Sequence, residues 1–345
     1  MTDSLDFLAA VRGLPEQFGA AHDAAAAIDP ASFPDGDSID NVVVLGMGGS
    51  GISGDVLAAT VAPTLRVPVN AVKGYELPAY VGPRSLVFAM SYSGGTEETE
   101  TTTAAALAVG AQVVVVSKGG ALGALAAEHG ALHIPCPDGY LPRAALGTLV
   151  VPIFVTLFRM GLLPEAHGWL VEAQDALARR RDECAPEVAG EKNPARELAR
   201  KVGRTIPLVY GGGAIGAVAA YRWKCDVNEN AKAPAYSHFY PELDHNEICG
   251  WGQHGDVTRQ LITLVELRHG FEHPQTVRRF DITRGIIEEA LVQVLEVTAR
   301  GESPLAQLLD LMYVGDWVSC YLALDNDVDP GPIDAIFALK DALAT

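Results

Sequence analysis

The sequence has little positive charge and no long apolar run. Lys and Arg number 25 against 43 Asp and Glu, which gives a net charge of −18 at pH 7. This balance argues against partners such as nucleic acid or an anionic membrane surface, because both attract basic proteins. No apolar run reaches the roughly 18 residues that a membrane-spanning helix needs. The first residues are acidic and do not resemble a signal peptide, so we expect a cytoplasmic protein.

Cysteine is also scarce, and the spacing of the cysteines argues against both a disulfide framework and a structural zinc site. The five cysteines are widely spaced and never form a C-x-x-C pair. An odd number of scattered cysteines is not typical of a disulfide framework or of a structural zinc site. We therefore expect reduced thiols that behave as small buried apolar side chains. They are Cys136, Cys184, Cys225, Cys249 and Cys320.

Short apolar segments alternate with helical segments through the first half of the chain. One or two amphipathic helices are predicted in residues 1–30. Five strands with helices between them then follow at residues 41–45, 67–72, 85–90, 112–116 and 132–134. Strands that are apolar on both faces and alternate with helices are typical of a parallel, doubly wound sheet. An apolar helix is predicted at 144–160, and the charged helical segments at 165–203 are expected to form a connection along the surface.

The pattern of strand, glycine turn and helix then starts again. A strand is predicted at 206–210, a turn at Gly211–Gly213 and a helix from Ala214 to Val227. The remaining predictions are a strand at 261–267, a short helix at 273–280, a strand or loop near Asp281, a helix or strand at 286–297, and helices at 303–324 and 333–343. Two similar halves predict two α/β domains, which we place at residues 1–155 and 156–345.

Gly46, Gly48 and Gly51 follow the first strand in a G-x-G-x-x-G pattern. In a dinucleotide-binding domain an acidic residue about 20 positions later would hold the ribose. Here Lys73 follows the second strand, and the nearest acid is Glu76. Two other interpretations remain. The glycines could let the strand and the helix pack closely, or they could let backbone N–H groups and Ser50 approach a small ligand. We favour the small ligand.

Ser91, Ser93 and Thr96 lie in the turn after the third strand, where the next helix begins. Hydroxyl groups, glycines and a helix N-terminus together favour phosphate binding. The carboxyl ends of parallel strands are also where ligands gather. The alternative is that one hydroxyl caps the helix, although a cap requires only one hydroxyl.

Three further residues are candidates for catalysis. Glu229 follows the apolar helix of the second half, and a helix end beside it would disfavour the charged carboxylate, as a general base requires. Arg143 follows a proline-rich loop and would stabilise a developing oxyanion. Each has a plainer alternative, a surface glutamate or a surface guanidinium. His245 lies between Asp244 and Glu247, but no zinc-binding spacing is present, and a lone histidine is more often a solvated or core side chain.

Five segments considered together point to one family. They are Leu45–Asp55, Ser91–Thr99, Leu141–Arg143, Asn228–Lys232 and Asp244–Glu247. In order and spacing they resemble the bifunctional phosphoglucose/phosphomannose isomerase family, which belongs to the sugar isomerase (SIS) superfamily. The resemblance covers about residues 40–340. It implies two SIS-type αβα sandwich domains with doubly wound parallel sheets, and a homodimer.

The resemblance also implies a reaction and a set of site residues. Glucose 6-phosphate, and with it mannose 6-phosphate, would be converted reversibly to fructose 6-phosphate through a cis-enediol, without metal or cofactor. Substrate-binding roles fall to Ser91, Ser93 and Thr96 for the phosphate, and to Gly49, Ser50 and Arg143 for the sugar. Glu229 would move the proton between C2 and C1, and Arg143 would steady the enediolate. His245 from the neighbouring subunit, together with Lys340, would assist ring opening.

Some positions depart from the family pattern. Gly95 stands where relatives often carry Asn, which leaves the neighbouring hydroxyls unaffected. Gly331 stands where a D-P-T-P-like sequence has a hydroxyl, and its absence would affect rotation about C2–C3 and so the mannose activity. Lys340 is assigned only by its distance from the chain end, and the alternative is an exposed lysine on an amphipathic helix. The alternative function is a non-catalytic sugar-phosphate-binding SIS protein, which would need no base such as Glu229.

Overall fold

The computed structural model describes residues 2–343, which form two compact units. The first unit contains Gly13–Ala178 and Gly301–Leu308. The second contains the chain up to Arg12, Arg179–Arg300 and the chain from Leu309 onward. Each unit has its own parallel sheet, so the predicted fold class of two α/β domains is confirmed. The exact limits of the domains, at residues 1–155 and 156–345, stay a prediction.

The first unit is built on a five-stranded parallel sheet of order β2-β1-β3-β4-β5. All five predicted strands are present, with β2 two residues shorter than predicted. The elements from the start of the chain are α1 (Phe7–Arg12), α2 (Leu14–Ala26), β1 (Asn41–Leu45), α3 (Gly48–Val61), β2 (Val69–Val72), β3 (Ser85–Ser91), α4 (Glu97–Ala108), β4 (Gln112–Ser117), α5 (Gly120–His129), β5 (Leu132–Pro135), α6 (Leu146–Arg159) and α7 (Ala166–Cys184).

Both faces of this sheet are buried, because side chains alternate between two layers of helices. Val43 and Val87 pack with Leu122 of α5 on one face. Their chain neighbours Val42 and Val44 point the other way and are equally buried. Helix α6 is buried from Leu146 to Leu157, as expected for a helix that is apolar on all sides.

The second unit contains a four-stranded parallel sheet of order β7-β6-β8-β9. Its core includes Leu208, Tyr240 and Phe280. The remaining elements are α8 (Pro194–Val202), β6 (Ile206–Gly212), α9 (Gly213–Asn230), β7 (Tyr236–Tyr240), α10 (Gly255–Leu261), β8 (Ile262–Arg268), α11 (Pro274–Ile287), β9 (Gln293–Thr298), α12 (Pro304–Asp325) and α13 (Asp334–Leu343).

The structure of the second unit differs from the sequence predictions in five places. Strand β7 and helix α10 were not expected from the sequence. The predicted strand or loop near Asp281 is wrong, because α11 continues through that residue. The undecided segment 286–297 divides into the end of α11 and the start of β9. Helix α9 extends to Asn230, so that Glu229 lies within its last turn.

Helix α12 carries a row of buried aromatic side chains at four-residue spacing, within the part that belongs to the second unit. The rings of Tyr313 and Trp317 lie 5.7 Å apart, and those of Trp317 and Tyr321 lie 6.1 Å apart. Trp223 of α9 donates a hydrogen bond to the Leu311 carbonyl at 2.7 Å. This packing holds α9, which carries Glu229, against α12. None of the helices among residues 2–343 is both long and apolar enough to cross a membrane.

Candidate active site

The three predicted phosphate-binding hydroxyls form one cluster at the carboxyl end of β3. Ser91 Oγ lies 2.8 Å from Thr96 Oγ1 and 3.4 Å from Ser93 Oγ. Ser91 is buried, whereas Ser93 is exposed, so the cluster opens towards solvent on one side. We refer to these three residues, Ser91, Ser93 and Thr96, as the hydroxyl cluster.

Helix capping does not account for this cluster. Thr96 is the N-cap residue of α4, but its side chain makes no capping hydrogen bond. Ser91 Oγ and Ser93 Oγ instead accept hydrogen bonds from the N–H groups of Gly94 and Gly95, at 3.1 and 3.3 Å. The hydroxyls of Ser91 and Ser93 therefore stabilise the turn in which they lie. Three hydroxyls beside the start of α4 form an arrangement suited to the oxygens of a phosphate.

Residues 46–51, which follow β1 and include the first turn of α3, are called the glycine turn and lie beside the hydroxyl cluster. Ser50 Oγ accepts a hydrogen bond from the N–H of Tyr92, at 3.2 Å. A Cβ on Gly51 would lie 2.6 Å from the carbonyl oxygen of Gly46, which supports close packing of strand and helix as one role of these glycines. Lys73, where a dinucleotide site would require an acid, forms an ion pair with Asp55. The residues present do not fit a bound dinucleotide.

Arg143 lies in a short 3-10 turn at Pro142–Ala144, in the same unit as the hydroxyl cluster. The residue is only 5% exposed, so the alternative of a surface guanidinium is wrong. A Cβ on Gly49 would lie 3.3 Å from the Arg143 Cα and 3.2 Å from the Pro142 carbonyl oxygen. The glycine turn thus packs directly against the backbone that presents Arg143.

Glu229 belongs to the second unit, where it is half-buried in the last turn of α9. A buried group of charges lies on the same helix. Arg222 Nε is 2.8 Å from Asp226 Oδ2, and Arg222 Nη2 donates to Asp316 Oδ1 at 2.9 Å. Burial raises the pKa of Asp226 well above its usual range, and the nearby charge of Asp316 acts in the same direction, whereas Arg222 opposes it. Helix α9 therefore carries buried charges within two turns before Glu229.

His245 ends a 3-10 turn in the second unit and is exposed. The two neighbouring carboxylates have other partners: Asp244 accepts hydrogen bonds from Thr283 and Arg279 at 2.8 Å each, and Glu247 accepts one from Tyr210. Within residues 2–343, no three His, Cys, Asp or Glu side chains are grouped in a way that could hold a metal ion.

The C-terminal part of the second unit holds the remaining candidate residues. Lys340 is exposed on α13. Gly331 is packed against the N-terminal segment, since a Cβ there would lie 2.9 Å from the Leu5 side chain. Lys232 Nζ, just after α9, donates to the carbonyls of Asp329 and Pro330 at 2.8 and 3.2 Å. The segment that contains Gly331 is thus tied to the end of the helix that bears Glu229.

The structure therefore divides the predicted residues between the two units. Gly49, Ser50, the hydroxyl cluster and Arg143 all belong to the first unit, whereas Glu229, His245 and Lys340 belong to the second. Two residues with clear structural roles were not singled out from the sequence: Tyr92 and Lys232. Both lie inside predicted motifs, but their contacts join segments far apart in the chain, which no local pattern reveals.

Comparison with known proteins adds to this geometry. Residues 38–141 match the model of the SIS domain, and residues 191–343 match that of the bacterial phospho-glucose isomerase C-terminal SIS domain. The chain is 37% identical over 334 residues to the bifunctional phosphoglucose/phosphomannose isomerase of Caldicellulosiruptor bescii, covering 97% of this chain and 98% of that one. It is 32% identical over 303 residues to the protein of the same name from Aquifex aeolicus, covering 88% and 90%.

Solved structures of lower identity share the fold. The C-terminal domain of glucosamine-fructose-6-phosphate aminotransferase from Francisella tularensis superposes with a TM-score of 0.67 at 15% identity, covering 94% of this chain and 97% of that one. A glucose-6-phosphate isomerase like protein from Thermus thermophilus gives a TM-score of 0.59 at 21% identity, covering 93% and 96%. At such identities the similarity shows the fold alone.

Proposed function

Because this chain belongs to the bifunctional phosphoglucose/phosphomannose isomerase family, we propose that it interconverts glucose 6-phosphate or mannose 6-phosphate with fructose 6-phosphate. The observation that carries the proposal is the 37% identity over 97% of the chain to a relative of that name. The family resemblance predicted from the sequence is confirmed. The hydroxyl cluster supports the choice of a phosphorylated substrate.

The phosphate would be bound in the first unit. Ser91, Ser93 and Thr96 offer hydroxyls at the N-terminus of α4, and Gly49 and Ser50 lie on the neighbouring turn, where they would line the sugar. Phosphate binding far from the reacting carbons contributes binding energy that orients C1 and C2 for reaction. No cofactor is required in this scheme.

The proton transfer would be carried out by Glu229. Its carboxylate would take the proton from C2 of the open-chain aldose and return it to C1, while the hydroxyl proton of O2 is transferred to O1. The carbonyl group thereby moves from C1 to C2 through a cis-enediolate. The negative oxygen that forms in between needs a fixed positive charge, and the buried Arg143 would supply it. His245 and Lys340 would assist opening of the sugar ring.

His245 would act from the neighbouring subunit of a homodimer. Its exposure in the second unit supports this role, because the side chain is accessible to another copy of the chain. Mixing two inactive variants, Glu229→Gln and His245→Ala, tests it. A shared site would restore roughly a quarter of the native activity, since half of the dimers are mixed and each of these has one intact site. If the mixture stays inactive although the subunits exchange, the cross-subunit role is wrong.

The central experiment is Glu229→Gln. We expect the turnover number for hexose 6-phosphate interconversion to fall by about 10² to 10⁴-fold, because general-base catalysis contributes that much. Binding of a hexitol 6-phosphate, which cannot react, should be retained. The matched control is Glu288→Gln, an exposed glutamate directly after helix α11. Near-native turnover in Glu229→Gln would contradict the assignment of the base.

Measurements on the native protein distinguish isomerase activity from the alternative function, non-catalytic binding of sugar phosphates. A non-catalytic sugar-phosphate-binding protein would gain thermal stability from glucose 6-phosphate and mannose 6-phosphate without forming fructose 6-phosphate. A coupled assay with both hexose 6-phosphates, run beside a thermal shift measurement, separates the two outcomes. Binding without product would overturn the proposed isomerase activity.

A further inference from the structure

Tyr92 stands between two members of the hydroxyl cluster, Ser91 and Ser93, but its side chain points into the protein and is only 3% exposed. Its hydroxyl donates a hydrogen bond to the Pro137 carbonyl at 2.9 Å and accepts one from the Tyr140 N–H at 2.9 Å. Both partners lie on the segment that runs from the end of β5 to Arg143. We propose that Tyr92 is a positioning residue that ties the phosphate-binding turn to the loop presenting Arg143.

The backbone of Tyr92 makes two further connections at the same edge of the sheet. Its N–H donates to Ser50 Oγ at 3.2 Å, in the turn after β1. Its carbonyl accepts a hydrogen bond from the Lys118 N–H at 3.0 Å, directly after β4. Tyr92 therefore contacts the segments that follow β1, β4 and β5, besides its own after β3. A displacement at this residue would reach the phosphate-binding turn and the Arg143 loop together.

The loop from Pro137 to Leu141 has no regular secondary structure to fix its position. Besides the two hydrogen bonds to the Tyr92 hydroxyl, the Tyr140 ring lies 6.5 Å from the Tyr92 ring. Lys118 sits 5.5 Å above the centre of the Tyr92 ring and forms an ion pair with Asp138. Burial raises the pKa of the Tyr92 hydroxyl, so it keeps the proton that it donates. The Tyr92 side chain thus contacts the loop through both its hydroxyl and its ring.

This inference rests on the proposed function, in which Arg143 steadies the enediolate. A displacement of about 1 Å in a catalytic group can lower a rate by 10²-fold. Phosphate binding, by contrast, depends on the hydroxyl cluster, which keeps its own contacts when only the Tyr92 hydroxyl is removed. Loss of this hydroxyl should therefore affect the chemical step more than phosphate affinity.

The test is Tyr92→Phe, which keeps the ring and deletes both hydrogen bonds. We expect the turnover number for hexose 6-phosphates to fall by roughly 10- to 100-fold, and the dissociation constant for inorganic phosphate to change by less than about two-fold. The matched control is Tyr80→Phe, an exposed tyrosine of the same unit whose hydroxyl accepts a hydrogen bond from Asn70 at 2.9 Å. It should leave both quantities unchanged.

A second measurement separates positioning from a general loss of structure. In an Arg143→Ala background, Tyr92→Phe should cause little further loss of turnover, because the group that it positions is already absent. A merely structural role would lower the rate by the same factor in both backgrounds. That result, or an unchanged turnover number in Tyr92→Phe alone, would overturn the proposal.

Hydrogen exchange of backbone amides tests the contact between Tyr92 and the loop independently of isomerase activity. The Tyr140 amide donates to the Tyr92 hydroxyl, so its exchange should be faster in Tyr92→Phe, while the Gly94 amide keeps its bond to Ser91 and its protection. A native protein without isomerase activity would contradict the function only. Unchanged exchange at Tyr140 would show that the hydroxyl does not hold the loop, whatever the activity.

Discussion

Gly94 and Gly95 are neighbours in the turn after β3 that contains the hydroxyl cluster, but the space around them differs. Gly94 has a positive φ of 74°, and a Cβ there would lie 2.0 Å from the Gly119 carbonyl oxygen. At Gly95 the nearest atom to a Cβ is a carboxylate oxygen of Glu100, 3.8 Å away. The turn after β3 and the turn after β4 thus touch through their backbones at Gly94, whereas Gly95 is open.

We predict that Gly94→Ala destabilises the first unit and weakens phosphate binding, whereas Gly95→Ala is nearly neutral. The positive φ alone costs about 1–2 kcal/mol for a residue with a Cβ, and the contact with Gly119 adds to this. Thermal unfolding and titration with inorganic phosphate measure the two effects. Equal behaviour of the two variants would mean that the turns do not touch at Gly94 in solution.

At the residue scale, the sequence indicates which side chains carry chemistry but not what holds them. The hydroxyl cluster was predictable because its three members lie within six positions at a strand end. The bonds of Tyr92 to Pro137 and Tyr140 were not, since they span 45 and 48 positions. Burial of Arg143 and the packing of Gly331 against Leu5 likewise depend on distant segments.

Helix α4 begins beside the hydroxyl cluster with three acidic residues in its first turn: Glu97, Glu98 and Glu100. Acids at this position stabilise the helix through its dipole. A bound phosphate would use the same end of the helix and be repelled by these charges. In the proposed site, phosphate would therefore be bound mainly through hydroxyls and N–H groups, with little help from net charge.

We predict that Glu97→Gln tightens the binding of inorganic phosphate by roughly two- to five-fold at low salt, which corresponds to about 0.3–1 kcal/mol. The gain should shrink at physiological ionic strength, where exposed charges are screened. Glu128→Gln, an exposed change near the C-terminus of α5 in the same unit, is the control. Isothermal titration at two salt concentrations measures both. Weaker binding in Glu97→Gln would show that this carboxylate supports the site.

The buried charges on α9 and α12 predict a pH dependence for the second unit. Arg222 is paired with both Asp226 and Asp316, so two carboxyls share one guanidinium. The pKa of Asp226 is raised in the folded state by burial, above its unfolded value of about 3.9. The folded protein therefore holds this proton as pH rises, and the stability that the proton provides is lost as pH rises through the folded pKa.

We expect Asp226→Asn to remove the loss of folding stability that the native protein shows as pH rises. The variant should gain stability relative to the native protein as pH rises, by up to about 1.4 kcal/mol per pH unit within the window. Urea unfolding of the second unit between pH 5 and 8 measures the effect. Asp281→Asn, an exposed aspartate on α11, should give a curve parallel to the native one. A parallel curve for Asp226→Asn would mean that Asp226 carries no proton in the folded state.

At the element scale, prediction succeeded where apolar periodicity was strong. The central strands of the first sheet, β1, β3 and β4, are buried on both faces, and all five strands of the sheet were found. Strand β7 was missed because it lies at a sheet edge, is mostly exposed or half-buried, and is enclosed by Pro234 and Pro241. The predicted helix ended before Asp281, because a polar residue at that position is typical of a helix end. In the structure Asp281 is exposed to solvent and helix α11 continues through it.

At the scale of the whole molecule, each unit has its own sheet and its own hydrophobic core. The repeated pattern of strand, glycine turn and helix predicted the two α/β units correctly. It could not predict that the chain crosses between the units more than once, because Gly301–Leu308 returns to the first unit after the second sheet is complete. The division into domains at residues 1–155 and 156–345 remains our proposal. The cysteines provide a test of whether the two units unfold separately.

The two units contain separate buried thiols. Cys136 lies in the first unit, and Cys184 lies in the second. Burial raises the pKa of Cys136 to about 11 and that of Cys184 to about 12. Because the thiolate is the reactive form, neither should react with a maleimide at pH 7 while its unit is folded. Cys249 is exposed and should react in every sample.

We predict that pulse labelling with N-ethylmaleimide along a urea gradient modifies Cys136 and Cys184 at different urea concentrations. Units with separate cores unfold cooperatively within themselves, and their midpoints coincide only when the interactions between them dominate. Mass spectrometry of the labelled peptides gives each midpoint, and constant labelling of Cys249 confirms equal reagent exposure. Coincident midpoints would mean that the protein unfolds as one cooperative body. In that case neither unit should be expected to fold when it is expressed alone.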